Sequence, residues 1–133
     1  KRWSLDTFIE VAQEVVKRND IPVFFIQKEH VEIIKLIKNQ VKESIFPEEV
    51  SSLSGPALIT ALSTRLKQAI TIDNGIMHMI GLSNIPMIVL FGPTKSSKFA
   101  PKINDIKILD SKIIHKSSDI NKISAKDVIK FLK

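Results

Sequence analysis

A chain of 133 residues is long enough to bury the core of one α/β domain but short for a complete enzyme of that class. It contains no cysteine, which excludes disulfides, thiolate nucleophiles and thiolate metal sites, and its 44% hydrophobic content is typical of a globular protein. The formal net charge of +6 predicts anionic partners such as nucleotides or acidic lipid headgroups. There is no arginine-rich run and no aromatic RNA-binding signature, so we do not expect nucleic acid as a partner.

The first third of the chain predicts two helices on either side of a strand. Ser4 is a suitable N-cap for a helix over residues 5–18, whose apolar side chains recur at helical spacing. A run of apolar residues then predicts a buried strand over 21–26, and a second helix follows over 29–39. Residues 41–53 have no clean period and are predicted to form a loop with one short strand.

The rest of the chain predicts strands that alternate with helices. Pro near the start of one helix and the pair Ser124 and Asp127, spaced as a capping box, mark helix beginnings. The predicted strands are 69–72, 86–91 and 106–109, and the predicted helices are 54–67, 77–82 and 124–132. This alternation predicts an α/β domain with a mostly parallel sheet flanked by helices, as in Rossmann-like folds.

Polar turns follow two of these strands. Asp73, Gly75 and His78 come directly after strand 69–72, and the turn Gly92–Thr94 comes directly after strand 86–91. In an open parallel sheet, ligands bind beyond the carboxyl ends of the strands, where helix N-termini direct free N–H groups outward. We therefore predict that both turns contact one anion, a phosphate or pyrophosphate.

Other interpretations of the same residues stay open at this point. Asn74-Gly75 between two apolar runs is also a strong signal for a β-hairpin, although the helical pattern of residues 77–82 favours a strand, a helix and a second strand. Asp73 is alternatively a plain helix N-cap, and His78 is alternatively a histidine buried beneath its helix.

The motif that runs from Asp73 through His78, Pro86 and Leu90 to Thr94 resembles the C-terminal half of glycosyltransferase family 9, the lipopolysaccharide heptosyltransferases. Members carry Asp, a hydroxyl residue, Gly, two variable residues and His, then a helix, a Pro-led apolar strand and an aromatic-Gly-Pro-Ser/Thr turn. Two positions depart from that pattern, because Asn74 replaces the hydroxyl residue and Ile80 replaces a small alanine.

Weaker points of resemblance lie outside this motif. The run from Lys1 to Ser4 is similar to the Lys-x-Trp-Pro run that opens the family's donor domain, with Ser4 in place of proline. Glu29 follows the first predicted strand, where the family places an acidic residue near the nucleotide. Gly55 ends a turn similar to the family's Leu-x-Gly turn.

The resemblance implies the GT-B fold, with residues 1–133 forming a single nucleotide-sugar-binding domain. This would be the C-terminal half of a two-domain enzyme whose N-terminal half is absent, in keeping with a chain that begins without methionine. The absent half would supply the acceptor site and the catalytic base. The donor-binding residues implied here are Asp73, Asn74, Gly75, Met77, His78, Gly92, Thr94, Lys1 and Glu29.

The implied reaction is an inverting, metal-independent transfer of sugar from an ADP-heptose-like donor to a lipid-linked lipopolysaccharide core acceptor, with no cofactor. No apolar run approaches the roughly 20 residues of a membrane span. The resemblance implies a cytoplasmic protein, and the net charge of +6 is compatible with peripheral contact with the anionic inner face of the membrane. A non-catalytic nucleotide-binding module and a relative of the nucleotide-sugar epimerases, which share the GT-B fold, are the alternatives.

Overall fold

The structure is a computed structural model that describes residues 2–51, 55–96, 100 and 103–133. A search of these residues for a membrane-spanning helix found none. The helices are α1 (Leu5–Lys17), α2 (Val31–Gln40), α3 (Pro47–Val50), α4 (Gly55–Ser63), α5 (Gly75–Gly81), α6 (Ser111–Ile114) and α7 (Ala125–Ile129), with a 3-10 turn at Ile120–Lys122. The strands are β1 (Ala69–Ile72), β2 (Met87–Phe91) and β3 (Ile106–Asp110).

The three strands form a parallel sheet in the order β1-β2-β3. Ile72 is in register with Leu90, and Phe91 is in register with Asp110, so the carboxyl ends of all three strands lie at one edge. This arrangement confirms the predicted parallel α/β fold. It also rules out the hairpin, because β1 and β2 would then pair antiparallel.

β2 is covered on both faces, as its continuous apolar sequence predicts. Ile88 and Leu90 pack into one hydrophobic cluster with residues of α1 and α7, while Met87, Val89 and Phe91 pack into a second cluster with residues of α4 and α5. Alternate residues of the strand thus point to opposite helical layers. Helix α5, which follows β1, is held against the sheet by the second cluster.

The predicted strand at residues 21–26 is wrong in its extent. Val23 makes a single parallel bridge with Ile45, supported by the hydrogen bonds Phe24 N–H to Ile45 O (2.9 Å) and Ile45 N–H to Pro22 O (3.0 Å). The partner segment cannot continue the ladder, because Pro47 has no N–H and begins α3 at once. Residues 23–26 are therefore half-buried and do not form a fully buried strand.

Two other boundaries differ from the prediction for local reasons. The loop predicted over 41–53 contains the bridge at Ile45 and also the one-turn helix α3, which the prediction missed.

Helix α4 ends at Ser63, four residues before the predicted end, where the buried Ser63 hydroxyl donates to the carbonyl of Ile59. A side-chain hydrogen bond of this kind competes with the backbone hydrogen bonds of the helix for the same carbonyl. Beyond Ser63 the chain forms a turn, in which Arg65 N–H donates to Leu62 O.

The two ends of the described chain are joined through the first cluster. The indole N–H of Trp3 donates to the carbonyl of Ile123 at 2.8 Å, and its ring meets Phe8 edge to face. Helix α7 begins with the predicted capping box, in which Ser124 and Asp127 bond reciprocally to each other's backbone N–H. Ser4 occupies the N-cap position of α1 as predicted, but its side chain makes no capping bond.

Candidate functional site

The first turn leads from β1 directly into α5. Asp73 N–H donates to Leu90 O at 3.2 Å, which extends the parallel ladder by one residue beyond β1. Asn74 is the N-cap of α5, and its Oδ1 accepts a hydrogen bond from Met77 N–H at 3.2 Å. The capping position that we considered for Asp73 is therefore filled by Asn74, and the half-buried Asp73 lies at the strand end beside it.

The side chains of this turn divide between the core and the surface. Met77 is fully buried, and its N–H is already engaged by Asn74. His78 is exposed, so it is not the buried histidine of the alternative interpretation. Gly75 is also exposed, with no atom within 4 Å of the position a Cβ would take. Asn74, Gly75 and His78 are thus the exposed members of this turn, and the Asn74 side chain is already engaged as the cap.

The second turn, Gly92–Thr94, follows β2 at the same edge of the sheet. Gly92 is buried, and a Cβ at this position would lie 2.9 Å from Ser118 O and 3.0 Å from Ile120 Cβ. The segment that precedes and enters the 3-10 turn therefore packs directly behind Gly92. We call the two turns together, residues 73–78 and 92–94, the sheet-edge site.

A lysine that follows the third strand holds the second turn. Lys112 Nζ donates to the carbonyl oxygens of Gly92 and Thr94, the latter at 2.6 Å, and lies 2.9 Å from Asp110 Oδ1. Asp110 also accepts from Ser96 Oγ at 2.9 Å and from Lys112 N–H at 3.0 Å. Burial opposes ionisation of Asp110, but the hydrogen bonds from Lys112 and Ser96 outweigh it and lower the pKa of its carboxyl.

Two residues of the predicted donor-binding set are not placed at this edge. Lys1 lies outside the described residues. Glu29 is in an exposed turn after residues 23–26, and that segment pairs with Ile45 instead of with the three-stranded sheet in the described chain. Its predicted contact with a nucleotide stays a prediction.

The sheet-edge site was compared with the metal-binding groups and cavities of the part of the chain that the structure describes. Among the described residues, no three His, Cys, Asp or Glu side chains are grouped so that they could hold a metal ion. Shallow cavities of about 340 and 320 Å³ lie elsewhere, one beside α1 and one between β3, α6 and α7, and neither is lined by a predicted donor-binding residue.

A sequence model described as glycosyltransferase family 9 (heptosyltransferase) matches residues 1–129. The chain belongs to glycosyltransferase family 9. It is 28% identical over 118 residues to lipooligosaccharide heptosyltransferase 2 from two strains of Campylobacter jejuni, covering 86% of this chain and 35% of each relative. The family 9 chain thus spans about a third of the length of these curated relatives.

Solved structures show the same fold. The family 9 chain superposes on a family 9 glycosyltransferase from Veillonella parvula with a TM-score of 0.79 at 24% identity, over 98% of this chain and 40% of that one. It superposes on the E. coli ADP-heptose lps heptosyltransferase II with a TM-score of 0.76 at 18% identity and the same coverage. These similarities confirm the predicted fold class, that of the GT-B glycosyltransferases.

Several residues of this family 9 chain that hold the sheet-edge site in place are not predicted by the sequence analysis. Lys112, Asp110 and Ser96 were not singled out, nor was the segment behind Gly92. One available signal was the position of Asp110 at the carboxyl end of a third predicted strand, which places its neighbours at the same edge. No pattern in the sequence indicates that Ser118 packs against Gly92.

The close approach behind Gly92 predicts an asymmetry between the two glycines of the site. We expect Gly92→Ala to lower the free energy of unfolding by about 1–3 kcal/mol, because the added methyl group meets backbone atoms that cannot rotate away. Gly75→Ala is the matched control and should change stability little, since the space around Gly75 is open. Urea unfolding of both variants measures the difference, and equal losses would contradict the packing described here.

Proposed function

We propose that this chain is the donor-binding half of a glycosyltransferase that transfers a heptose-like sugar from an ADP-activated donor to a lipopolysaccharide core acceptor. The observation that carries the proposal is the family match over residues 1–129, whose most specific motif residues fall on two turns at one edge of a parallel sheet. The named relatives are heptosyltransferases, which supports the same sugar class for this chain.

The proposed task of the sheet-edge site is to hold the diphosphate of the donor. During transfer an acceptor hydroxyl oxygen attacks the anomeric carbon in line, the bond from that carbon to the phosphate oxygen breaks, and the nucleoside diphosphate leaves with the electron pair. Fixed N–H groups at the two turns stabilise the growing negative charge without reorganising. Inversion at the anomeric carbon follows from attack on the face opposite the leaving group.

Individual residues take different parts in this scheme. Gly75 leaves room for a phosphate close to the backbone, and the exposed His78 donates to a phosphate or a sugar hydroxyl. Asp73 orients the sugar hydroxyls at the end of β1. Met77 contributes through the core packing of α5, because its N–H is already bonded to Asn74.

The remaining parts of the reaction are assigned to a second domain. The chain spans 35–40% of the length of the relatives and solved structures that it matches. A cleft between two domains would supply the other wall, the acceptor and the base that takes the hydroxyl proton. The net charge of +6 supports peripheral contact with an anionic membrane surface, at the cytoplasmic face, where a lipid-linked acceptor would be presented.

Transfer by the full-length protein tests this proposal. It is incubated with ADP-activated heptose or UDP-activated sugars, with and without a detergent-solubilised lipopolysaccharide core, and nucleoside diphosphate release and acceptor mass are measured. We expect release and a gain of one heptose only with the ADP donor and the acceptor together. Donor binding without transfer would instead identify a non-catalytic module, and conversion of the free donor without acceptor would identify an epimerase.

A further inference from the structure

We infer that Lys112 is a positioning residue that fixes the Gly92–Thr94 turn and thereby directs the backbone N–H of Lys95 toward the donor diphosphate. This inference rests on the proposed function of the sheet-edge site. It adds two residues, Lys112 and Lys95, that the family motif does not contain.

The position of Lys112 links the second and third strands. It lies just after β3, while the turn that it holds lies just after β2, and its ammonium group meets three acceptors there: Gly92 O, Thr94 O and Asp110 Oδ1. An ammonium group has three N–H donors, so this set uses its full capacity. The side chain is 32% exposed, which places the charge at the base of the turn and not out in solvent.

Peptide geometry converts this contact into a direction for an N–H group. The described chain has no cis peptide bond, and in a trans peptide the C=O and N–H point to opposite sides. Because Thr94 O points at Lys112, the N–H of the same peptide, which belongs to Lys95, points away from it. Lys95 is itself an exposed residue, which fits an N–H group on the side of the turn away from Lys112.

The carbonyl of Gly92 belongs to a peptide that has no N–H, because the next residue is Pro93. Its oxygen would repel a phosphate if the turn rotated outward. Lys112 holds this oxygen and that of Thr94 on the side of β3. The turn therefore directs the Lys95 N–H toward an anion, while the carbonyl dipoles of Gly92 and Thr94 face Lys112.

Asp110 in turn fixes Lys112 and the far end of the turn. The carboxylate is buried, with 4% of its surface exposed, and bonds both to Lys112 and to Ser96 Oγ. Ser96 lies two residues beyond Thr94, so the network holds the turn on both sides. Loss of either Asp110 or Lys112 should free the two carbonyl groups to rotate.

Two variants of the full-length protein separate positioning from simple charge attraction. Lys112→Met removes the donors and one positive charge, and we expect it to weaken ADP binding about tenfold and to raise KM for the donor while KM for the acceptor stays unchanged. Asp110→Asn removes a negative charge near the site. Positioning predicts that it also weakens ADP binding, whereas attraction through space predicts that it strengthens it.

Isothermal titration with ADP and initial-rate kinetics give these values, with Lys122→Met, an exposed lysine in the 3-10 turn, as the matched control. Lys112→Arg, which keeps the charge and several donors, should recover part of the affinity. Unchanged ADP affinity in Lys112→Met, or tighter binding in Asp110→Asn, would overturn the inference. If the wild-type protein binds no nucleotide or nucleotide sugar, the proposed function itself fails, and the inference fails with it.

Discussion

Replacing Asp73 by alanine is expected to lower kcat/KM for the nucleotide-sugar donor about 100-fold while the protein remains folded. The carboxylate lies at the carboxyl end of β1, immediately before the Asn74 cap, where the proposed donor meets the sheet. A charged group that hydrogen-bonds a ligand typically contributes about 1.5–3 kcal/mol, which corresponds to a factor of roughly 10 to 150. Asp73 is half-buried at the end of its strand, so the substitution leaves no large cavity in the hydrophobic core.

Asp105→Ala is the matched control for this experiment. Asp105 precedes β3, at the amino edge of the same sheet, and forms an exposed ion pair with Lys133. Such surface pairs contribute little to stability, and this one is at the opposite end of the strands from the site. Donor kinetics and circular dichroism are measured for both variants. A similar kcat/KM in Asp73→Ala and the wild type would remove Asp73 from the site.

Replacing Trp3 by alanine is expected to lower the free energy of unfolding by about 3–5 kcal/mol. Trp3 has only 4% of its surface exposed and packs in the cluster that α1 and α7 form against β2 and β3. The alanine variant leaves a cavity there and also leaves the buried carbonyl of Ile123 without its donor. A loss of this size is a large part of the stability of a typical domain.

The variant Trp3→Phe divides this effect into its two sources. An aromatic ring remains to pack against Phe8, but the indole N–H that bonds Ile123 is removed. We expect a smaller loss of about 1–3 kcal/mol, the cost of leaving a buried acceptor unsatisfied. Urea unfolding followed by circular dichroism measures both variants. If the alanine and phenylalanine variants were equally stable, ring packing would not be the main contribution.

The elements around the site could be predicted because their signals are local. The apolar run of β2 and the pattern of α5 lie within a few residues of each other, and a strand, a short helix and a second strand in that order favour parallel pairing. Parallel pairing places the carboxyl ends of both strands at one edge, which is why both turns are predicted there. The capping box at Ser124 and Asp127 was likewise visible as spacing alone.

The strand predicted at residues 21–26 shows the limit of such signals. Its hydrophobic pattern indicated burial, but a strand also requires a partner of equal length. The partner near Ile45 is cut short by Pro47, so a single bridge forms. The length of a β-ladder depends on both of the segments that pair, so it cannot be predicted from the pattern of one segment alone.

The α/β class, the family and the positions of the Asp73 and Gly92 turns could be predicted from local patterns, because period, turn chemistry and a specific motif are all encoded over short distances. The contacts that hold these turns became visible only in the folded protein. Lys112 meets Thr94 across 18 positions, and Trp3 meets Ile123 across 120. Such contacts depend on how whole elements pack in space, and side chains that meet in this way leave no periodic trace along the chain.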